Sequence, residues 1–505
     1  MSFIYNNLAV LYVAGVVSAL GWLFGGTRSD VLSYAAPWMI LMLAQVLFLF
    51  PQKRANETTY EARERVWHAL KKDPVFLTSL GLVFMLAIPF ANNGLCVGCD
   101  SQLIAQGISP APPVKFLPFC VNRQDHYNVF LWFAVSLSCL AVVRHALVAH
   151  GKRLLLELIV WNGFALALVG FLQIATDAEG PLWQKIFFPF GKSTFFSTFG
   201  YPNMAGDYFT FLFGLAVAVW RNHNLEADAR QKTSQAPSAR NRHRQFWNRH
   251  LMLVPAGVLY FAAISTLSRA AIILVNVILV IAFVHALLDI THRMHRKDKV
   301  KKGTIAVAAV GLVAFFAVSS MPKDVQREIN TLDTDVVLTR MTGKGDYHPR
   351  VATRIWRDHK LFGCGGWGYK HFCVPTMTPD ERKGLQKYGG TNVHNDYLQF
   401  LTEHGLVGFG AIVALVVLLL VPVCRTWKKL VKTALFTEKK LAPAKPVQVF
   451  ALPAPVFMCL LSLLATLIHA FSDCPLRSPP VLSLFFVTLA TLPGFLPKEQ
   501  DHAAR

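Results

Sequence analysis

The sequence predicts an all-α polytopic membrane protein, and three observations support this fold class. The 505 residues are 53% hydrophobic and only 16% charged, whereas soluble domains carry about 25% charged residues. Apolar runs of about 20 residues recur along the chain, long enough to cross a bilayer as helices. The charged residues fall mostly between these runs, and 50 Lys and Arg residues outnumber 29 Asp and Glu residues. This composition excludes a soluble enzyme, a disordered tail protein and a small secreted disulfide-rich domain.

The apolar runs predict about twelve transmembrane helices. The first run has no charged segment before it and is followed by further runs, so it is not expected to be a cleaved signal peptide. The predicted spans are residues 8–25, 31–50, 75–92, 127–147, 154–174, 204–220, 251–267, 270–290, 304–320, 405–424, 449–471 and 481–496.

The charge of the connecting segments predicts how the helices are oriented. The connections after the second, fourth, sixth, eighth and tenth spans are basic, as in HGKR and THRMHRKDKVKK. Because Lys and Arg are enriched on the cytoplasmic side of membrane proteins, these connections and both termini are predicted to be cytoplasmic. The formal net charge of +21 is therefore an orientation signal, and no nucleic-acid partner is expected.

The connection between the ninth and tenth spans, residues 321–404, is too long to be a simple turn. It contains Trp356, Trp367 and Phe372, a glycine cluster and charges of both signs. These features predict an ordered subdomain on the outward side of the membrane. The chain is expected to divide into residues 1–150 with helices 1–4, a core of residues 151–425 with helices 5–10 and the outward loop, and residues 426–505 with helices 11–12 and a short cytoplasmic tail.

Most of the nine cysteines lie in segments predicted to face outward, and none lies in a cytoplasmic loop. This partition indicates an oxidising compartment such as a periplasm. Six cysteines allow 15 pairings, and closeness in sequence favours a Cys364–Cys373 disulfide and one pair among Cys96, Cys99 and Cys120. The alternative is a zinc site built on CVGC and Cys120, which lacks a local fourth ligand. The outward cysteines are Cys96, Cys99, Cys120, Cys364, Cys373 and Cys474.

An arginine lies at the boundary between two predicted spans. Arg269 follows a very short connection in AAISTLSRAAIILV, which places it at the outer edge of the membrane. A charged residue at such a site indicates function, although a snorkelling arginine that marks the interface is the alternative. The small residues Ser265, Ser268 and Ala270 leave room for a ligand beside it, which favours a functional role.

A histidine and an asparagine lie at the outer end of the tenth span. His394 and Asn395 belong to TNVHNDYLQFLTEHGLVGFG, residues 391–410. Because histidine titrates near neutral pH, it can accept the proton of a hydroxyl group; a helix cap or a surface residue is the alternative. The apolar residues that follow have helical spacing, which predicts that Glu403 and His404 lie near the surface.

The outward loop carries a basic segment from Arg340 to Lys360 that includes Arg350. Guanidinium groups bind phosphate bidentately, so this segment is a candidate phosphate site. The glycines of the following LFGCGGWGYKHF formally fit GxGxxG. Because no βαβ unit surrounds them, they predict a tight turn rather than a dinucleotide site.

A fourth segment begins the sixth span, STFFSTFGYPNMAGDYF at residues 193–209. Gly200, Pro202 and Asn203 form a turn signal, and Asp207 lies just inside the span. A simple helix start with Asn203 as its cap is the alternative. Taken together, two arginine sites, a histidine and an asparagine on the outward face favour an anionic, phosphate-bearing lipid as substrate.

These segments resemble the O-antigen ligase and polymerase superfamily. TNVHNDYLQFLTEHGLVGFG is similar to its His-Asn signature, FSTFGYPNMAGDYF to its Pro-Asn motif, STLSRAA to its Ser-Arg motif, and RIWRDHKLFGCGGWGYKHF to the segment before the His motif. The motif order, the predicted spans and the outward loop also agree. The resemblance covers about residues 150–425 and does not separate the members of the superfamily.

The resemblance implies a GT-C-like glycosyltransferase of the bacterial inner membrane. Its donor would be a glycan on undecaprenyl diphosphate and its acceptor, in the ligases, the lipid A-core of lipopolysaccharide. His394 would be the general base, Arg269 would hold the diphosphate, and Arg350 would be a second phosphate-binding residue.

Other roles follow from the same resemblance. Arg340 or Lys344 could replace Arg350, because the family's arginine usually lies at a somewhat longer distance before the Trp-rich segment. Asn203 and Asn395 would position the site. Inversion at the anomeric carbon and the absence of a metal or other cofactor are also implied, and the outward loops show no obvious acidic pair or His/Asp cluster in the sequence.

Several alternative functions remain open. A repeat-unit or exopolysaccharide polymerase would use a glycan as acceptor, and a protein O-oligosaccharyltransferase would use Ser or Thr, although those enzymes often have a longer C-terminal extension. A secondary transporter also fits twelve spans. Transporters usually have repeated halves and interrupted helices at the midplane, and the candidate residues here crowd one face. O-antigen ligation is the preferred function.

Overall fold

The structure is a computed structural model that describes residues 4, 6–26, 29–92, 114, 116–184, 195–233, 247, 249–293, 347–383, 392–438 and 452–496. The described residues form α-helices and short helical turns, without a named strand. The predicted ninth span, Arg340, Lys344, Cys96 and Cys99 lie outside the described residues. Each of the other predicted spans coincides with a helix.

The helices before the outward loop are numbered in chain order. They are α1 Leu8–Trp22, α2 Ser29–Leu49, α3 Thr59–Lys72, α4 Pro74–Ala87, α5 Arg123–Ala141, α6 Ala149–Ala175, α7 Pro202–Thr233, α8 Leu253–Ser265 and α9 Arg269–Arg293. The later helices are α10 His348–Asp358, α11 Gly368–Thr376, α12 Pro379–Lys383, α13 Asp396–Glu438, α14 Ala454–His469 and α15 Pro479–Thr491.

Two helices form the centre of the molecule. Every residue of α15 is buried, and α7 is buried from Ala205 to Val219. α7 packs against α6, α8, α9 and α14, whereas α15 packs mainly against α5. A helix that is apolar on all sides is buried in the core of a large protein or in a membrane, and these two segments lie in the core of the helix bundle.

The peripheral helices expose large apolar side chains. Trp38 on α2 is 65% exposed, Phe84 on α4 68% and Val417 on α13 56%. In water such surfaces would be unfavourable, whereas lipid tails accommodate them. The described residues therefore form a polytopic helical membrane protein.

Among the described residues, five helices are long and apolar enough to cross a membrane, and six if α3 and α4, bent by 69°, form one span. The five are Asp30–Leu49, Arg123–Ala146, Ala149–Ala175, Arg269–Leu287 and Asp396–Lys432. Four shorter apolar helices accompany them, Leu8–Trp22, Leu253–Ser265, Ala454–His469 and Pro479–Phe495. The count of about twelve spans stays a prediction.

The described part of the long connection, residues 347–383 and 392–404, forms short helices joined by turns. α10 and α11 pack around their own apolar cluster, which includes Val351, Ile355 and Tyr369. The predicted Cys364–Cys373 disulfide is wrong, because Cys364 is a free buried thiol. Cys364 packs against the start of α11, whereas the Cys373 Sγ lies 3.2 Å from the Tyr369 hydroxyl.

The glycine cluster makes the predicted tight turn and docks it onto α13. Gly363 and Gly365 have φ values of 71° and 83°, which favour glycine. The Gly365 N–H donates to the Glu403 carbonyl at 2.9 Å, and the Leu406 N–H donates to the Lys360 carbonyl at 2.9 Å. These bonds cross a break in α13 at Gly405, where φ is 65° and ψ is −170°.

The prediction that Glu403 and His404 lie near the surface is wrong, because they are 0% and 1% exposed. The Glu403 carboxylate accepts hydrogen bonds from Arg477 Nη1 at 2.8 Å and from the Trp367 N–H at 3.1 Å. The Arg477 guanidinium also lies 4.0 Å from the centre of the Trp367 ring. A buried carboxylate requires such partners, and the sequence pattern of α13 alone does not reveal them.

Candidate functional site

Three helix ends meet at one cavity. α7 and α9 begin there, and α14 ends there. The cavity has a volume of about 220 Å³ and is lined by Asn203, Leu267, Arg269, Ala270, His469, Ser472 and Asp473. The structure thus brings Asn203 and Arg269 together at one cavity.

Asp473 is the centre of the hydrogen-bond network beside this cavity. Its buried carboxylate accepts from the Tyr201 hydroxyl at 3.0 Å and from the Cys474 N–H at 2.8 Å. The Asn203 side-chain amide also donates to it. The predicted alternative of Asn203 as a simple helix cap does not describe this contact, since the amide reaches across to the segment between α14 and α15.

His394 joins the same carboxylate. Its Nδ1 lies 3.4 Å from Asp473 Oδ1, and its side chain is 37% exposed while that of Asp473 is 5% exposed. His394 also has a φ of 54°, a left-handed conformation that is uncommon for residues other than glycine and concentrates at functional sites. Asp473 therefore links the predicted His motif to the cavity that holds Arg269.

The charge of Asp473 is maintained by its partners. Burial alone would raise the pKa of this carboxyl, but the hydrogen bond and charge of His394 and the Cys474 N–H hold the pKa well below its usual range. Burial and the neighbouring carboxylate raise the pKa of the Tyr201 hydroxyl far above its usual value. Tyr201 thus stays a hydrogen-bond donor to an ionised Asp473.

The residues after His394 fix its position. The Asn395 side-chain oxygen accepts from the Leu398 N–H at 3.0 Å and so caps α13, while its amide donates to the Phe471 carbonyl at 3.2 Å. The buried Asp396 carboxylate accepts from the Leu476 N–H at 2.8 Å. These bonds fasten the start of α13 to the segment that carries Asp473. Asn395 acts here as a cap and an anchor.

A tight turn between α8 and α9 positions Arg269. Leu267 has a φ of 59°, and the Ala271 N–H lies 3.4 Å from the Ser268 hydroxyl oxygen. Gly206 on α7 packs against this turn so closely that an added Cβ would lie 2.6 Å from the Ala271 Cβ. Arg269 therefore begins α9 at the cavity, together with the N-terminal amides of that helix, which favour anions.

Comparison with known families finds one match. Residues 254–413 match the O-antigen ligase family model. The match confirms the resemblance predicted from the motifs. It supports a membrane function of the O-antigen ligase or polymerase type, a glycosyltransferase-like activity and a lipid-linked glycan as substrate. No curated protein matches the chain.

The O-antigen ligase segment covers some site residues and not others. Arg269, Arg350, His394 and Asn395 lie within residues 254–413, whereas Asn203 precedes them. Asp473 and His469 follow the segment, in the part of the chain predicted to form the C-terminal helices. The cavity is therefore lined partly by residues outside the matched segment.

Arg350 does not line this cavity. It lies on α10 with its side chain 64% exposed, and its Nε is 3.9 Å from Glu381 Oε1. Arg354 forms the closer ion pair with the same carboxylate. Burial alone would raise the pKa of Glu381, but hydrogen bonds from the Thr378 N–H and from Arg354 lower it. An exposed ion pair of this length contributes at most about 1 kcal/mol, so Arg350 can be released from it at little cost.

Sequence reasoning missed Asp473. It found no His/Asp cluster in the outward segments, but the structure brings His394 and Asp473 together across 79 positions. Asp473 ends the run HAFSD at the boundary of a predicted span. Because ionisable residues at such a boundary are uncommon, its position was a possible signal. Nothing in the local pattern connected it to His394.

Cys474 gives this cluster a third potential metal ligand, and its atoms lie within 4.8 Å of those of His394 and Asp473. The arrangement is poorly suited to a metal ion. Burial and the Asp473 carboxylate raise the pKa of the Cys474 thiol well above its usual value, whereas a metal requires the thiolate. The Asp473 oxygens are also engaged by Tyr201 and Asn203.

Proposed function

We propose that the protein transfers a glycan from undecaprenyl diphosphate to an acceptor hydroxyl on the periplasmic face of the bacterial inner membrane, as an O-antigen ligase acting on lipid A-core. The observation that carries this proposal is the position of Asp473, which lines the cavity with Arg269 and contacts His394. The proposed group for the leaving diphosphate thus lies at the same cavity as the carboxylate that contacts the proposed group for the nucleophile's proton.

His394 is the proposed general base. When its Nδ1–H donates to the ionised Asp473, the Nε2 lone pair is the basic atom, and the carboxylate stabilises the imidazolium that forms. The 3.4 Å distance is long for a hydrogen bond, but catalytic hydrogen bonds often shorten when substrate binds. The partial exposure of His394 lets an acceptor hydroxyl reach it.

Arg269 is the proposed diphosphate ligand. In the transfer, the acceptor oxygen forms a bond to the anomeric carbon, the bond from that carbon to the diphosphate oxygen breaks, and the hydroxyl proton passes to His394. The lipid diphosphate leaves with the electron pair, and attack from the opposite face inverts the anomeric carbon. Arg269 and the N-terminal amides of α9 stabilise the charge that develops on the diphosphate.

The size of the cavity supports a headgroup site. At about 220 Å³ it is smaller than the ~300–1,000 Å³ of pockets that enclose a whole drug-sized ligand. A diphosphate would occupy it while the glycan and the polyprenyl chain extend outside. Arg350 and Arg340 are proposed as further phosphate contacts from the loop, and Asn203 and Asn395 as positioning residues.

The same proposal includes a GT-C-like arrangement with about twelve spans and cytoplasmic termini. The connection of residues 321–404 would then be periplasmic and contribute residues to the site from the periplasmic side. A cysteine-accessibility scan with a membrane-impermeant thiol reagent on intact spheroplasts tests the orientation. Labelling of Lys383→Cys from outside is expected, and labelling of that variant only after permeabilisation would contradict the orientation.

Deletion of the gene, followed by a lipopolysaccharide gel, tests the reaction. A ligase predicts the loss of all long-chain bands and the accumulation of lipid-linked polymer. A polymerase, the second member of the superfamily considered, predicts a band of core plus one repeat unit. Unchanged lipopolysaccharide would argue for another acceptor, either an exopolysaccharide or a protein, and against ligation.

Two further measurements test finer parts of the proposal. Addition of a chelator to purified protein is expected to leave transfer unchanged, and inhibition reversed by a divalent ion would overturn a metal-independent mechanism. Uptake of a labelled sugar into proteoliposomes tests the alternative of a secondary transporter. The convergence of Asn203, Arg269 and Asp473 at the ends of helices supports the transferase, since transport sites usually lie near the membrane midplane.

A further inference from the structure

A second histidine–aspartate pair lies at the same cavity. His469 is the last residue of α14, and its Nδ1 is 3.0 Å from Oδ1 of Asp207 on α7. Both side chains are 1% exposed. The Thr466 hydroxyl donates to the other Asp207 oxygen at 2.8 Å. The carboxylate is thus held between two donors from one helix.

The other ring nitrogen of His469 has no such partner. Its Nε2 is buried and makes no hydrogen bond within the described part of the chain, although His469 lines the cavity that contains Arg269. Buried polar atoms in native proteins are nearly always bonded, and an exception indicates a role or a missing ligand. The Nε2 of His469 is therefore a buried polar atom, unbonded among the described residues, of a residue that lines the cavity.

The surroundings of His469 specify the charge of what it would bind. A buried carboxylate is stable only with a compensating cation, and His469 is the ionisable group in contact with Asp207. In the imidazolium form Nδ1–H donates to Asp207 and Nε2–H remains as a donor that is unpaired within the described part of the chain. Arg269 and the N-terminal amides of α9 add positive charge at the same cavity, while the negative charge of Asp473 there is compensated by His394, so the cavity favours an anion.

We propose that His469, held by Asp207, is a binding residue that donates a hydrogen bond from Nε2 to a phosphate oxygen of the lipid-linked donor. The identity of this ligand rests on the proposed function. Its role differs from that of His394, because an imidazolium that is already protonated and buried cannot accept the proton of an acceptor hydroxyl. His469 and Arg269 would together hold the diphosphate before and after transfer.

Binding of farnesyl diphosphate, a short polyprenyl diphosphate, to the purified full chain in detergent tests the inference. His469→Gln is expected to weaken its affinity about tenfold, the effect of losing one charge-assisted hydrogen bond of about 1.4 kcal/mol. Farnesol, which has no phosphate, should bind both proteins equally. Equal affinity of wild type and His469→Gln for farnesyl diphosphate would overturn the inference.

Other ligands and variants separate the possible explanations. Inorganic pyrophosphate distinguishes a free anion site from a lipid headgroup site: the inference expects it to bind more weakly than farnesyl diphosphate and to show the same loss in His469→Gln. An equal loss of farnesol binding would instead indicate a structural role and contradict the inference. His68→Ala, which removes an exposed histidine on α3 that does not line the cavity, is the control and should leave binding unchanged.

A variant at the partner residue keeps the test valid if His469→Gln does not fold. Asp207→Asn leaves the imidazole in place but removes its counter-charge, so a loss of about three- to tenfold in farnesyl diphosphate affinity is expected. Unchanged affinity in a folded Asp207→Asn protein would also overturn the inference. The proposed transferase function is judged separately from the lipopolysaccharide gel, which can succeed while this binding assay fails.

Discussion

The two histidine–aspartate pairs at the cavity have similar chemistry but different surroundings. His394 is 37% exposed and lies 3.4 Å from Asp473, whereas His469 is 1% exposed and lies 3.0 Å from Asp207. Asp473 is shared with Tyr201 and Asn203, while Asp207 has Thr466 as its other side-chain donor. One pair faces the surface, and the other is enclosed between α7 and α14.

This difference indicates how one cavity can separate two tasks. A general base must exchange its proton, so it needs access to the acceptor and a carboxylate that stabilises its protonated form. A ligand for a phosphate needs a fixed positive charge and no competing water. The exposed pair suits the first task, and the buried pair suits the second.

The strongest test of the comparison is His394→Ala. Transfer of glycan to the acceptor is expected to fall by about 10²–10⁴-fold, the usual contribution of a general base, and farnesyl diphosphate affinity should stay unchanged. Initial rates and equilibrium binding on the same purified protein measure both. His68→Ala, which removes an exposed histidine on α3, is the control. Transfer at the wild-type rate in His394→Ala would refute the assignment of the base.

Asp473→Asn is expected to have the next largest effect. It keeps the shape of the side chain but cannot orient and stabilise the His394 imidazolium, so transfer should fall by about 10²-fold. The double variant with His394→Ala should be no slower than His394→Ala alone, because the two residues act as one unit. Additive losses would show that Asp473 acts independently of His394.

The same variant gives a prediction about pH. Because the pKa of Asp473 is lowered in the folded protein, its stabilising contribution is complete above the unfolded pKa of about 3.9 and is lost as pH falls through the lower folded value. Between about pH 5 and 8 Asp473 therefore stays ionised. The free energy of unfolding should lose the contribution of Asp473 only below about pH 4, and subtracting the Asp473→Asn curve from the wild-type curve between about pH 2 and 5 checks this.

Gly206→Ala tests the anion side of the cavity. The added Cβ would lie 2.6 Å from the Ala271 Cβ and 2.8 Å from the Ser268 Cβ, so the start of α9 must move. Displacement of a positioned group by about 1 Å can cost up to about 10²-fold, and we expect about a tenfold loss of transfer together with weaker farnesyl diphosphate binding. Gly257→Ala on α8, where an added Cβ meets nothing within 4 Å, is the matched control. Equal behaviour of the two variants would contradict the role of this contact.

The sequence predicted the helices well because their signals are local. Apolar runs located α1 and α15, and the turn signal at Gly200, Pro202 and Asn203 located the start of α7 at the cavity. The buried carboxylates were not predictable in the same way. Asp207 and Asp473 are separated from their histidines by 262 and 79 positions, so only helix packing determines the pairs. Glu403 was wrongly predicted to lie near the surface for the same reason, since its partner Arg477 lies 74 positions away along the chain.

The smallest expected effect is that of Tyr201→Phe. The Tyr201 hydroxyl is one of several donors to Asp473, and a hydrogen bond of this kind contributes about 1 kcal/mol, so transfer should fall about fivefold. Because the raised pKa of Tyr201 keeps the hydroxyl protonated, the loss should be constant from pH 6 to 9. Tyr34→Phe, at a residue that is 81% exposed on α2, should have no effect. A loss as large as that of Asp473→Asn would mean that Tyr201 itself contacts the substrate. Tyr201 would then have to be counted with His394 and Asp473 as a residue that acts directly in transfer.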